Sequence, residues 1–275
     1  IPRIGFMKGG NKAKWKDEDM ADSFLNKAKE YVNKNKNNPF FLFYSLQQPH
    51  VPRTPNPRFV GKSKMGPRGD AIIEADWCIG ELYKTLGENK LLENTLIIFS
   101  SDNGPVLNDG YFDNAVEMLG DHTPSGGLRG GKYSLFEAGT RVPFIAYWKD
   151  KIKAGISDQV ISQIDLFNSI SKIISSNIRT HDGKDLSNLI LNNTGEGRSE
   201  LVLEAMGKTA YRNEEWVMIP PYKGRKIAKN VLIELGNSNE YMLFNLDKDP
   251  YQRNNLATKN PEKLNFMISN FDEIK

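Results

Sequence analysis

The sequence predicts an α/β protein, a mostly parallel sheet flanked by helices, followed by a smaller antiparallel α+β domain. Three observations predict it. Two short unbroken apolar runs, Phe40 to Leu46 and Leu96 to Phe99, have strand length and suit strands covered on both faces. Between them lies an amphipathic pattern long enough for a helical crossover, which argues for parallel strands. Beyond about residue 190 the chain changes to closely spaced strand-like segments, the pattern of antiparallel hairpins.

Length and composition are compatible with this. A chain of 275 residues can bury a sizeable core, as one large domain or a large one plus a small one. The 39% hydrophobic and 26% charged fractions are those of a globular protein, and no apolar run is long enough to span a bilayer. A net charge of +3, from 37 basic and 34 acidic residues, is too balanced to indicate a nucleic-acid binder. The lysines from Lys8 to Lys36 are interleaved with Asp17, Glu18, Asp19, Asp22 and Glu30, as on a solvated helix face. Cys78 is the single cysteine, so no disulfide forms within the chain, and the redox compartment stays open. The opening "IPRIGFMKGGNK" has no initiator Met and no apolar signal core, so the sequence is expected to begin inside a larger protein.

The elements follow in order. Met20, Phe24, Leu25, Ala28, Tyr31 and Val32 line one face of a helix that opens on acidic residues and ends at Asn38-Pro39. After the aromatic run, "QQPHVPRTPNPRF" carries four prolines and is an extended loop. Ile72, Ala75, Ile79, Leu82, Tyr83 and Leu86 mark the second helix, with Cys78 reading as a core residue. Gly104 to Gly139 is a long glycine-rich region of the kind that carries function. "RVPFIAYW" restores a strand and "QIDLFNSISKIISS" a helix. The polar stretch 177–200 separates an α/β part, residues 1–190, from a terminal part, residues 191–275, with "LVLEAM", "EWVMIP", "KNVLIEL" and "YMLFNL" as strands and a helix begun by Pro261.

In open parallel sheets, ligands gather outside the carboxyl ends of the strands. Gln47, Gln48 and His50 follow the first apolar run, and Asp102 and Asn103 follow the second. "GGLRGGKYSLFEAGTRVP" adds Arg129 and Lys132 on glycine-rich backbone before another strand. Asp102 and Asn103 offer oxygen donors only, which suits a hard cation, Ca²⁺ or Mg²⁺. The same dipeptide also suits an Asx turn closed near Gly104. His50, flanked by prolines, reads as a general acid, as an anion contact or as a plain loop histidine. Lys132 reads as a point-charge clamp on an anion or as a surface lysine.

Four blocks in order, "PFFLFYSLQQPHVP", "TLIIFSSDNGP", "GGLRGGKYSLFEAGTRVPFIAYW" and "YMLFNLDKDPYQRNNLA", resemble the type I, formylglycine-dependent sulfatases of the alkaline-phosphatase-like superfamily, closest in phrasing to bacterial members acting on sulfated carbohydrates. The resemblance runs from "RIGFMKGG" to "NNLA". It implies a partial alkaline-phosphatase-like sheet, with Asp102 and Asn103 binding Ca²⁺ and, through it, a sulfate oxygen. It implies that His50 contacts the sulfate and protonates the leaving alkoxide, and that Lys132 neutralises the sulfate. His122, Arg129 and Arg53 are the further candidates for contact with a sugar or an acidic neighbour.

The chain departs from that family at the nucleophile. The C/S-x-P-x-R segment that carries formylglycine does not occur in these 275 residues, nor do the remaining calcium aspartates of the family. The resemblance therefore implies the C-terminal portion of a sulfatase, holding about half of an active site, inactive alone and completed by an N-terminal segment of the same protein. It also implies an exported, periplasmic or secreted location. Two rivals stay open: a phosphonate or phosphate ester hydrolase of the same superfamily, and a non-catalytic homologue that binds sulfated sugar. Asn103, where zinc-dependent relatives tend to have His, favours the sulfatase.

Overall fold

A computed structural model describes residues 8–274. The opening block up to Met7, where the family resemblance begins, lies outside the described residues. The chain divides into two compact units, one running up to Thr95 with Val106–Thr123, the other comprising Leu96–Pro105 and Pro124–Lys275.

The first unit is built on two helices, α1 (Met20–Asn35) and α2 (Gly66–Glu88). Ala21, Leu25, Ala28 and Val32 form the buried stripe of α1, at the spacing of one helix face. Phe24 and Tyr31, expected on that stripe, are 48% and 38% exposed. Ala21, Leu25 and Cys78 make the core with Tyr44, Leu46, Trp77 and Leu82 against it. Burial pushes the Cys78 thiol up to about 11.

Helix α2 starts at a positive-φ Gly66 followed by Pro67, whose missing N–H is no loss in a first turn. Its buried face contains carboxylates. Asp70 accepts the backbone N–H of Gly61 at 2.8 Å and of Ser63 at 2.7 Å, while Glu74 accepts from Asn56 N at 3.0 Å and Gln48 Nε2 at 2.8 Å. These side chains pin the proline-rich loop to the helix.

Phe40 to Leu46 joins no β-ladder among the described residues, although exposure alternates along it, with Phe41 69% and Phe43 81% exposed. The expected cover on both faces is therefore present on one. In the second unit β1 (Ile97–Ser100) pairs with β2 (Phe144–Tyr147) antiparallel, Phe99 opposite Ile145. The parallel expectation concerned Phe40–Leu46 with Leu96–Phe99, and the first of these runs enters no ladder among the described residues; an antiparallel pair such as β1–β2 is common even within largely parallel architectures. Short helices α3 (Glu137–Thr140), α4 (Asp165–Ile173) and α5 (Ser187–Asn192) surround this pair in sequence.

The antiparallel block expected after residue 190 is present. β3 (Glu200–Ala205), β4 (Lys208–Asn213), β5 (Trp216–Ile219) and β8 (Met242–Asn245) form a sheet in the order β3-β4-β5-β8. A two-stranded ribbon of β6 (Ile227–Ala228) and β7 (Ile233–Glu234) lies between β5 and β8 in sequence. Both faces of the large sheet are core. Tyr211, Met218 and Leu243 pack on Met267 and Phe271 of α6 (Pro261–Ile274), and Ala210, Val217, Ile219, Met242 and Phe244 pack on Leu135 and Phe136. Successive residues alternate between the two clusters, as the strand period of two requires.

Candidate active site

In the second unit the acidic pair follows β1 directly. The Gly104 N–H donates to Gly139 O at 2.9 Å, and a Cβ at Gly104 would lie 1.6 Å from Ala138 O, so only glycine fits there. That bond removes the Asx-turn explanation, because the donor near Gly104 is already engaged and the exposed Asp102 carboxylate accepts no hydrogen bond among the described residues. Asn103 turns its Nδ2 to Gly104 O at 3.0 Å, which leaves Oδ1 as the acceptor end. Two oxygen donors without internal partners fit part of a Ca²⁺ or Mg²⁺ shell, which for Ca²⁺ holds about six to eight oxygens. No group of three or more His, Cys, Asp or Glu that could hold a metal occurs among the described residues.

The glycine loop meets this turn through its backbone: Lys132 N donates to Pro105 O at 3.0 Å. A Cβ at Gly131 would stand 2.7 Å from the same oxygen, which explains the glycine before Lys132. The next residue, Tyr133, has φ 78°, a strained value for a bulky side chain. The Lys132 ammonium lies 5.3 Å from the Tyr133 ring centroid.

Arg129 anchors that loop to the terminal block. It donates to Glu234 Oε2 at 2.6 Å, to Glu234 Oε1 at 3.1 Å and to Gln252 O at 2.7 Å, and its guanidinium sits 4.0 Å over Phe136. The bonded guanidinium holds the Glu234 carboxyl below its ordinary value. Gln252, fully buried, accepts the Glu137 N–H at 2.7 Å. Gly127, Arg129, Glu234, Tyr251 and Arg253 line an open depression of about 360 Å³.

In the first unit His50 is 58% exposed by side chain and bonds through Nδ1 to Val51 O at 2.6 Å. A carbonyl only accepts, so Nδ1 carries a proton and Nε2 is the nitrogen available to exchange one. Nε2 lies 3.9 Å from Oδ2 of the buried Asp109. Arg53, two per cent exposed by side chain, donates to both Asp113 oxygens at 3.1 and 2.9 Å, to Pro49 O at 2.8 Å, and to Val106 O and Leu107 O at 3.2 and 2.9 Å. Its geometry is that of a brace on the His50 loop. His122 is exposed, its side chain without a partner among the described residues. Within their units, then, the structure joins Lys132 to the Asp102–Asn103 turn, and Arg53 to the loop of His50.

Asp109 and the Tyr251–Arg253 pair were not singled out by sequence. Asp109 precedes Gly110 in a string that reads as a turn, and its burial beside an imidazole has no one-dimensional signature.

The model of the family described as Sulfatase matches residues 6–176. The chain belongs to the sulfatase family. It is 43% identical over its whole length to an N-acetylgalactosamine-6-O-sulfatase of Bacteroides thetaiotaomicron, 55% of which is covered. It is 35% identical to human arylsulfatase A over 58% of this chain and 30% of that protein. A solved sulfatase structure, from work on glycosaminoglycan metabolism by Bacteroides thetaiotaomicron, superposes with a TM-score of 0.96 at 42% identity, covering all of this chain and 58% of the other. A Pseudoalteromonas sulfatase gives a TM-score of 0.73 at 25% identity over 93% of this chain and 53% of that one. The sulfatase chain thus has the alkaline-phosphatase-like α/β fold of its relatives and spans about half of their length.

Proposed function

We propose that this chain forms the C-terminal part of a sulfuric ester hydrolase acting on sulfated carbohydrate, contributing half of a calcium and formylglycine active site. The observation that carries it is the strand-end turn of Asp102 and Asn103, whose side-chain oxygens have no partner among the described residues, hydrogen-bonded through Pro105 to the backbone of Lys132. The name of its bacterial relative makes 6-O-sulfated N-acetylgalactosamine the first substrate to test.

Cleavage of a sulfate ester places negative charge on the leaving alkoxide, and fixed cations with a proton donor lower that barrier. His50 supplies the proton from Nε2, its ring held by Val51 O and Nε2 standing 3.9 Å from Asp109 Oδ2. A general acid contributes about 10² to 10⁴-fold. Lys132 neutralises the sulfate as a point charge. Asp102 and Asn103 would hold the calcium, or magnesium in its place, which would neutralise sulfate oxygens when bound. His122 and Arg129 contact the flanking sugar from their loops, whereas Arg53 acts on the substrate through the loop it braces.

The nucleophile belongs to a C/S-x-P-x-R segment that these residues lack, so the chain alone does not turn over substrate and an N-terminal segment of the same protein completes the site. The open faces of Phe41 and Phe43 support a covering segment of that kind. Export to the periplasm or beyond accompanies this reading.

The test compares the chain alone with the same chain joined to its N-terminal segment, on 6-O-sulfated N-acetylgalactosamine, an aryl sulfate and an aryl phosphate. Turnover of sulfates by the joined protein alone is expected. Preference for the phosphate would favour the phosphohydrolase reading, and sugar binding without turnover the non-catalytic one.

A further inference from the structure

Arg68 stands in the first turn of α2 and is 6% exposed, yet its Nε and Nη1 are fully enclosed and have no hydrogen-bond partner. No ion pair engages its guanidinium among the described residues. The charges that act on it are Arg53, which adds to the effect of burial in lowering its pKa, and Asp113, which opposes it. Asp113 is already committed, with both oxygens on Arg53 Nη1 and Oδ1 also accepting the Ala115 N–H at 3.2 Å. Asp70, two residues on, is occupied by Gly61 and Ser63. Two buried guanidiniums therefore share one carboxylate, and a positive charge remains without a counterion. Arginine stays protonated in proteins, so it does not escape this by losing a proton.

Burial of an uncompensated charge is among the costliest arrangements a protein interior can contain, and such charges are found paired. The planar fork of a guanidinium, with the dipole of a helix N-terminus nearby, suits a negatively charged guest. A site enclosed to this degree admits only a small one.

We propose that Arg68 holds a small inorganic anion, of the sulfate or chloride class, as counterion to the buried Arg53, Arg68 and Asp113 cluster. Arg53 also braces the His50 loop, but the anion site draws on none of the groups proposed to cleave the ester and does not depend on that activity.

The experiment follows thermal unfolding of the protein in a buffer whose only anion is bulky, with chloride or sulfate added at constant ionic strength. The parent should gain on the order of 5 °C. Arg68→Met should melt above the parent in the anion-poor buffer, because it removes an unpaired charge, and should show no gain on adding either anion. Arg68→Gln serves if the Met variant does not fold, with the same loss of response expected. An insensitive parent, or a variant that responds as the parent does, overturns the proposal. Crystals soaked in bromide give a direct reading: an anomalous peak against the Arg68 guanidinium supports the site, and none there overturns it.

Discussion

Lys132 donates its backbone N–H to the carbonyl of Pro105 at 3.0 Å, and Gly104 donates to Gly139 O at 2.9 Å, so the acidic turn and the glycine loop are joined by main chain at two points. Main-chain bonds are insensitive to side-chain identity, so the charges of the turn can be altered without losing its shape.

That gives the first prediction. Asp102→Ala should leave stability within about 0.5 kcal/mol, because the carboxylate accepts no hydrogen bond among the described residues. Calcium binding to the protein joined to its N-terminal segment, read by isothermal titration calorimetry, should weaken by at least roughly tenfold. Unchanged affinity would remove Asp102 from the metal site.

Gly104→Ala is the converse case. The added Cβ would lie 1.6 Å from Ala138 O, a backbone atom that cannot rotate away. Destabilisation near the top of the overpacking range, about 3 kcal/mol, is expected in urea unfolding.

Asp113→Ala removes the one carboxylate bound to Arg53 among the described residues and leaves two buried guanidiniums together. A loss of about 3–5 kcal/mol should follow, and Arg53→Met in the same chain should recover part of it. Denaturant curves of the parent, both single variants and the double variant measure the coupling.

Glu234 carries a small pH effect. Its folded pKa is depressed below the ordinary 4.5, first by the hydrogen bond from Arg129, so its stabilisation is present above that value and lost as pH falls through the folded pKa. The Glu234 side chain is 44% exposed, which limits the contribution to less than about 1 kcal/mol. Glu234→Gln should lose that contribution at neutral pH and converge with the parent at low pH, so that the acid limb of the stability profile flattens.

Cys78 is fully buried, and its thiol is pushed up to about 11. A disulfide reagent at pH 8 should leave the native protein unlabelled and modify one thiol after unfolding. Rapid native labelling would contradict the packing of α1 on α2.

The sequence carried some of these features more plainly than others. The terminal block was legible because its short strands are punctuated by turns, and the strand-end acids were legible because a buried run leads straight into them. The face of α2 was less so. Apolar periodicity picks out Ile72, Ile79 and Tyr83, whereas Glu74 and Asp70 lie deeper because loop N–H groups bond to them. Phe40 to Leu46 has strand composition yet enters no ladder among the described residues, because composition reports cover on a face and not the presence of a pairing partner. Arg53 and Arg129 stand in the sequence as candidate sugar contacts or plain exposed residues, and one dimension does not show that Asp113 and Glu234 hold their guanidiniums.

The terminal sheet has core on both sides, with Met267 and Phe271 behind it and Phe136 in front. A premature stop codon before Pro261 would strip off the rear layer alone. The loss would open Tyr211, Met218 and Leu243 to water, so truncating alleles are expected to undo the sheet from the side opposite the ring on which Arg129 rests.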